Sequence, residues 1–407
     1  MNLLRFDIQE SKVIPFVAIS LLLTHMTVSF FDLEMFLASY VALAGMIVAF
    51  LGSIVLLIRQ KTLHLYDINV LFFLLLIEGI SFLYGNDWKN WLYISFSIST
   101  YLFLFNFYHE KYRILILGIL FVLSAAIYCQ LFQCITHPEM WIIDERKELR
   151  GFLLGGNYNQ MGSRLIIALT TGVLSVKYNK WFWLNLIPLF ISSFAILFMV
   201  RSMNSLSCLF MFLIFILIKN ERLLSLGTMG LYIAVFFFQV FVCFSGKGLE
   251  NNELASWFVE DVLGKDLSFT GRTEMWDSAL RAISDSPIWG FGYVDADWYK
   301  AHMTNLAIGA HNYILNTMIY GGVISIILHF FIIIRCILNL IRNNDIHSKR
   351  MIAAFGIMST MMLFETYNPA QVFLLLTIMY YYPGREIRHI ETNPDQGNNN
   401  QPIALQT

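Results

Sequence analysis

Apolar runs about as long as a bilayer is thick recur from one end of this chain to the other, and no other feature restricts its fold as much. A hydrocarbon core of about 30 Å takes about 20 residues of helix at 1.5 Å each. Such runs fall at roughly 13–31, 35–58, 66–84, 91–109, 112–135, 156–176, 181–200, 204–218, 223–243, 309–334, 350–367 and 370–382. The last of these is short, and spans only if extended or tilted. Composition agrees. Of 407 residues 57% are hydrophobic and 14% charged, where soluble folds average about 25% charged. A surface so poor in charge cannot be solvated all round, which excludes a cytosolic enzyme. The expected fold is all-α: a polytopic membrane protein of about twelve transmembrane helices over residues 1–390. One long external loop at about 245–309 is inserted before the tenth span, and the Asn-, Gln- and Pro-rich tail, 391–407, is expected to be disordered.

Orientation follows from the basic residues. Of 27 Lys and Arg, sixteen fall inside if both termini are cytoplasmic, ten outside and one, Arg164, within a span. Half of the outside ten belong to the long loop, which weighs little in this rule, so the positive-inside bias stands. The N-terminal run has no small-residue cleavage site and is expected to stay as the first span. A net charge of −1 offers no basic excess to nucleic acid. Cys129, Cys134, Cys208, Cys243 and Cys336 show no metal-ligand or redox spacing and suit packing. No repeat and no matching pair of broken helices marks a transporter.

Polarity concentrates at the external edge. In the loop, Leu254, Trp257, Phe258 and Val262 recur at helical spacing, which predicts an amphipathic helix lying on the membrane or packed within the loop. A second helix is predicted from about Arg272 to Ser284, with Gly271 before it, Trp276, Ala279, Leu280 and Ile283 as its apolar stripe and Pro287 after it. Arg272 then lies in the first turn, beside free N–H groups and the positive end of the helix dipole, a place for an anion such as phosphate. A solvated arginine paired with a local acid is the other reading. Arg201 sits where the seventh span turns back into the eighth, His311 and Asn312 open the tenth, and Asn157 and Asn159 open the sixth. Each has a structural alternative, as a snorkelling side chain, a satisfied helix-end histidine or a cap. Deeper, Glu78 and Arg164 must face the bundle interior and find partners, either each other or a polar cavity. Glu365, near the external end of the eleventh span, is a candidate site acid or a helix-end residue.

Taken in order, Gly271-Arg272-Thr273-Glu274-Met275-Trp276, Pro287-Ile288-Trp289-Gly290-Phe291-Gly292, His311-Asn312-Tyr313 and Tyr320-Gly321-Gly322 resemble the signature of bacterial O-antigen ligases and O-antigen or capsule polymerases. Gly156-Asn157-Tyr158-Asn159 and the Arg201-Ser202 turn resemble upstream motifs of that family, although its members often carry Pro where Tyr158 stands. The resemblance covers roughly residues 150–370. It implies a GT-C-like membrane glycosyltransferase acting on undecaprenyl-pyrophosphate-linked glycan at the outer face of the plasma membrane. Arg201 and Arg272 would hold the pyrophosphate, and His311 would be catalytic near the acceptor. The implied partners are the lipid-linked glycan, an acceptor glycan or glycolipid, the bilayer, and a flippase and chain-length regulator.

The residue types suit that chemistry. Breaking a sugar–pyrophosphate bond builds negative charge on the leaving oxygen, which two guanidiniums stabilise bidentately. The acceptor hydroxyl loses a proton, and an imidazole, titrating near pH ~6.5 in water, is suited to take it. Asn312, Asn157, Asn159, Arg164 and Glu365 are the expected substrate contacts. The two guanidiniums would take the place of a divalent metal, so metal-independent transfer with inversion and no cofactor is expected. The leading expectation is a polymerase. A ligase acting on lipid A–core has the same chemistry, and a lipid-linked sugar transporter using Arg164 and Glu78 is the reading from another class.

Overall fold

The computed structural model describes residues 11–28, 63–137, 159–245, 271–304 and 309–383, with helical positions 47, 51, 54, 55 and 58 between the first two stretches. Among these every regular element is helical. The principal helices are α1 (Val13–Val28), α2 (Leu65–Tyr84), α3 (Trp88–Phe107), α4 (Tyr112–Thr136), α5 (Met161–Tyr178), α6 (Trp183–Met199), α7 (Met203–Leu217) and α8 (Glu221–Phe238). They continue with α9 (Arg272–Asp285), α10 (Ala296–His302), α11 (Tyr313–Asn343), α12 (Ile346–Met362) and α13 (Pro369–Tyr380). The segments Leu65–Tyr84, His109–Thr136, Lys180–Met199, Glu221–Cys243 and Tyr313–Asn343 are long and apolar enough to cross a membrane. Val13–Leu23, Met203–Leu217 and Pro369–Tyr380 are apolar but shorter. With Leu83 at 82% and Phe198 at 74% exposure, apolar side chains cover outer faces that water would not tolerate so widely, and the protein is a membrane protein.

Helix α13, the run that looked too short in the sequence, is the centre of the bundle. Its residues Val372 to Met379 are all buried, and α11, α3, α12 and α5 pack around it. A helix apolar on every side is stable when protein surrounds it. Twelve residues rise only about 18 Å, so it does not reach across a full hydrocarbon core. Pro369 at its first turn and the Asn368 cap, accepting from Ala370 N–H at 2.9 Å, start it abruptly.

Helix α11 is broken at Gly321 and Gly322, the latter at φ +58°. The loop after α9 fills the break. Phe291 N–H donates to Ile319 O at 2.8 Å, Gly292 N–H to Tyr320 O at 2.8 Å, and Val323 N–H to Pro287 O at 2.9 Å. These bonds satisfy backbone groups that the break frees, as a low-dielectric interior requires. The approach is too close for side chains: a Cβ at Gly322 would lie 2.2 Å from Ile288 O, and one at Gly290 2.6 Å from Ile319 O. The Pro287–Gly292 and Tyr320–Gly322 motifs, thirty residues apart in sequence, are therefore two halves of one joint.

Successive helices alternate direction, so the chain presents two ends. The turns 85–87, 200–202, 309–312 and 363–368, with α9 and α10, gather at one. The turns 108–111, 179–182, 218–220 and 344–345 gather at the other. The predicted helix from Arg272 is present as α9, ending at Asp285. The predicted amphipathic segment at Leu254 to Val262, Asn157, Tyr158 and the 391–407 tail lie outside the described residues.

Candidate functional site

The polar end is held together by a chain of contacts between segments remote in sequence. His311 Nδ1 lies 3.3 Å from Glu365 Oε1, which also accepts from Thr366 N–H at 3.2 Å. Two residues on, Tyr367 donates through its hydroxyl to Asn159 O at 3.1 Å. Asn159 Oδ1 in turn accepts from Ser202 Oγ at 3.3 Å, and its carbonyl from Ser205 Oγ at 3.2 Å. Ser202 is the neighbour of Arg201, so the turn between α6 and α7 is tied to the start of α5 and to the α12–α13 loop. The Tyr367 hydroxyl is pushed well above the usual tyrosine pKa by burial and by the negative charge of Glu365, with Arg272 acting in the opposite direction. Arg272 thus also lies within electrostatic reach of Tyr367. Its Nε is buried and makes no hydrogen bond within the protein.

Backbone strain marks two of these residues. Among the described residues the non-glycine positions with positive φ are Arg201 (+55°), His311 (+46°) and Asn344 (+43°). Asn344 ends α11, a place where asparagine adopts the left-handed conformation readily. Histidine shares part of that tolerance and arginine does not, and a left-handed backbone costs an ordinary residue about 1–2 kcal/mol. Strain of this kind persists where surrounding structure over-determines it, and it clusters at functional sites.

An open cavity of about 390 Å³ lies beside His311 and Glu365. Gln160, Thr366 and Tyr367 contribute to its lining, as do Tyr293, Tyr299, Asn316 and Tyr320. Tyr299 donates to Asn316 Oδ1, which also accepts from Ala310 N–H at 3.4 Å, and so fixes the loop leading into His311. Burial raises the Tyr299 hydroxyl above its ordinary range, and Tyr293 is pushed up to about 12 by burial and by Asp87. Both phenols stay protonated as donors at neutral pH.

Two expectations need correction. Asn312 does not present its side chain to the cavity. It is wholly buried, accepts from Leu315 N–H at 3.0 Å as the cap of α11, and donates to Gln239 Oε1 at 2.8 Å and Leu363 O at 3.1 Å. All its bonds are internal, so it positions His311 and contacts no ligand from there. Nor do Glu78 and Arg164 pair with each other. With the Gln371 amide oriented by its neighbours, its oxygen accepts from Arg164 Nη2 at 3.0 Å and Nε at 3.1 Å while its nitrogen donates to Ser163. Arg164 Nη1 and Glu78 Oε2 make no hydrogen bond within the protein. A neutral amide on the neighbouring helix α13 reaches Arg164, a partner that no spacing in the sequence announces.

The sequence pattern brought Arg201, Arg272, His311, Asn159 and Glu365 to one end, and the structure places them there. It did not single out Tyr367, Gln160, Tyr299 or Asn316. Asn316 alone had a signal, lying one helical turn beyond Asn312 and hence on its face.

Fold and site together define a polytopic helical membrane protein with two arginines and a strained histidine at one polar end. Residues 187–330 match the family model Wzy_C, O-Antigen ligase. That segment is therefore similar to the O-antigen ligase domain, and it includes Arg201, Arg272 and His311. Asn159, Arg164, Glu365 and Tyr367 lie outside it. No curated protein matches the chain.

Proposed function

We propose that this protein is a polysaccharide polymerase of the plasma membrane, joining an undecaprenyl-pyrophosphate-linked glycan to another lipid-linked repeat unit for O-antigen or capsule assembly. The positive-inside distribution of Lys and Arg puts the polar end outside, where such substrates meet. The observation that carries the reading is the linked series His311–Glu365–Tyr367–Asn159–Ser202, which unites the imidazole with the turn bearing Arg201 and lies within reach of Arg272.

The chemistry follows from those positions. Glu365 beside Nδ1 favours a proton there, which leaves Nε2 of His311 as the basic nitrogen. Nε2 takes the proton of the acceptor hydroxyl as its oxygen attacks the anomeric carbon. The bond from that carbon to the pyrophosphate oxygen breaks, and Arg201 and Arg272 stabilise the departing charge. Single displacement inverts the configuration. Asn159 and Tyr367 hold the two halves of the site in register, and Arg164 adds positive charge below Gln160.

Membranes carrying His311→Ala, supplied with lipid-linked repeat units, should not elongate them; elongation at the wild-type rate would remove the general base. The ligase reading has support of its own in the similarity of residues 187–330 to the O-antigen ligase family. Glycan profiles of a deletion strain separate the two. Single repeats on the core mark a lost polymerase, and carrier-bound long chains with a bare core mark a lost ligase.

A further inference from the structure

The cavity beside His311 has a chemical character that the transfer mechanism does not use. Its described lining holds three carboxylates, Asp87, Asp295 and Glu365, and no lysine or arginine. Asp87 comes from the turn between α2 and α3, where its N–H donates to Tyr293 O at 3.0 Å and its Oδ2 accepts from Asn90 Nδ2 at 2.6 Å. Asp295 uses Oδ1 to cap α10, accepting from Trp298 N–H at 2.9 Å. Capping accounts for one oxygen of Asp295 and not for the aromatic rings beside it. Tyr293 packs on Tyr320, centroids 4.9 Å apart, and both rings line the same space as the acids.

Three residues of that lining have a buried polar atom without a hydrogen bond. Glu365 is only 2% exposed and its Oε2 makes none, the Oγ1 of Thr366 makes none, and His311 Nδ1, 3.3 Å from Glu365 Oε1, makes none either. Buried polar atoms are almost always matched, so these are open to a donor or acceptor from a ligand. The cations lie elsewhere. Arg201 and Arg272 join the site through Asn159 and Tyr367 and do not line the cavity. Charge is thereby divided, with guanidiniums placed for a phosphate and carboxylates, amides and phenol rings placed for something polyhydroxylated and not anionic.

We propose that this cavity is the acceptor-sugar subsite and that it takes a neutral or amino-bearing pyranose while rejecting acidic sugars. Identifying its occupant as the acceptor rests on the reading that His311 receives the acceptor proton; the charge preference does not. The carboxylates of Asp87 and Asp295 accept from ring hydroxyls or an ammonium group, the Tyr293 and Tyr320 rings cover an apolar sugar face, and a uronic carboxylate meets like charge.

The test is saturation-transfer NMR on the full chain in lipid nanodiscs, with the methyl glycosides of glucose, N-acetylglucosamine and glucuronic acid as probes. The first two should bind, and the glucuronide should bind at least about fivefold more weakly, the scale expected when a hydroxyl–carboxylate hydrogen bond gives way to repulsion between like charges near water. In Asp87→Asn/Asp295→Asn the glucuronide should come within about twofold of the glucoside, since both replacements keep the cap and the packing and remove only charge. Should the double variant not fold, Asp87→Asn alone should close about half of the gap. Equal binding of glucoside and glucuronide by the wild type, or no binding of any glycoside, overturns the proposal. Running the same titration on His311→Ala separates it from the catalytic reading. Charge-selective binding with transfer intact in that variant refutes the base and leaves the subsite, whereas lost transfer with charge-blind binding refutes the subsite alone.

Discussion

The two ends of the bundle treat buried polar groups in opposite ways. At the end bearing the turn 344–345, Lys177 donates to Tyr382 Oη at 2.6 Å and lies 3.6 Å from Asp345 Oδ2, which also accepts from Tyr382 at 2.8 Å. Ser348 N–H donates to Asp345 Oδ1 at 2.7 Å and completes the cap of α12. Burial alone would raise the Asp345 carboxyl, but those hydrogen bonds and the Lys177 charge together hold it below the usual range. Nearby Asp67, wholly buried, accepts from Tyr381 at 2.7 Å, Asn106 at 2.7 Å and His64 N–H at 3.1 Å. At the opposite end Arg272 Nε, Glu365 Oε2 and Thr366 Oγ1 have no partner, and His311 and Arg201 hold left-handed backbone. One end uses its carboxylates to fasten helices, although Asn106 Oδ1 and Arg350 Nε there also make no hydrogen bond. The other leaves a carboxylate oxygen and an arginine donor open.

The contrast is sharpest at His311. His311→Gly should lower transfer by about 10²–10⁴-fold, the range for a lost general base, while the melting temperature of the detergent-solubilised protein holds or rises, because glycine relieves the strain at φ +46°. A large fall in melting temperature would make the histidine a structural residue and erase the difference between the ends.

The mirror experiment is Lys177→Met. Removing one member of a buried ion pair leaves its partner uncompensated, at a cost of about 3 kcal/mol or more. Thermal unfolding should come markedly earlier, yet protein that remains folded should transfer glycan at the wild-type rate. Reduced turnover in the folded fraction would mean that the two ends communicate.

How much of this division was legible in the sequence depends on the kind of signal. Helix positions were, because the length of an apolar run is a local property: the helices from Leu65 to Tyr380 follow the predicted runs closely, and the turn at Arg201 falls as expected, while five of the segments are long and apolar enough to cross a membrane. The gathering of Arg201, Arg272 and His311 was legible through the alternation of spans, since each stood at the same predicted edge. Partner identity was not. That Arg164 meets Gln371, that Asn312 is consumed by Gln239 and Leu363, and that Tyr367 bridges Glu365 and Asn159 are facts of three-dimensional packing between segments 51 to 208 residues apart. Asp67 escaped notice because an acid two residues into an apolar helix reads as a helix-start residue, and only its three donors reveal a fastening.

Between the extremes lies Arg272→Lys. The ammonium keeps the charge near the first turn of α9 but lacks the planar fork and the buried Nε donor. Turnover should fall by about 10²-fold, as for removal of one oxyanion donor, with no change in melting temperature. Affinity for inorganic pyrophosphate, measured by calorimetry in nanodiscs, should fall in parallel. Unchanged turnover and affinity would reduce Arg272 to a solvated loop cation and leave only His311 on the functional side of the comparison.

The smallest effect expected is on stability, in Arg201→Gly. Arginine at φ +55° costs about 1–2 kcal/mol, and glycine removes that cost but gives back up to about 1 kcal/mol of unfolded-state entropy. The variant should therefore be more stable by about 0.5 kcal/mol, a shift of a degree or so in melting temperature, although it has lost a side chain. Activity should fall at least as far as in Arg272→Lys. A turn built only to reverse the chain between α6 and α7 would be improved by glycine with no functional loss, and that outcome would assign Arg201 to the architecture. Destabilisation instead would mean that the guanidinium fastens this end as Lys177 fastens the other, and the left-handed turn would then be a consequence of packing, with no bearing on a ligand.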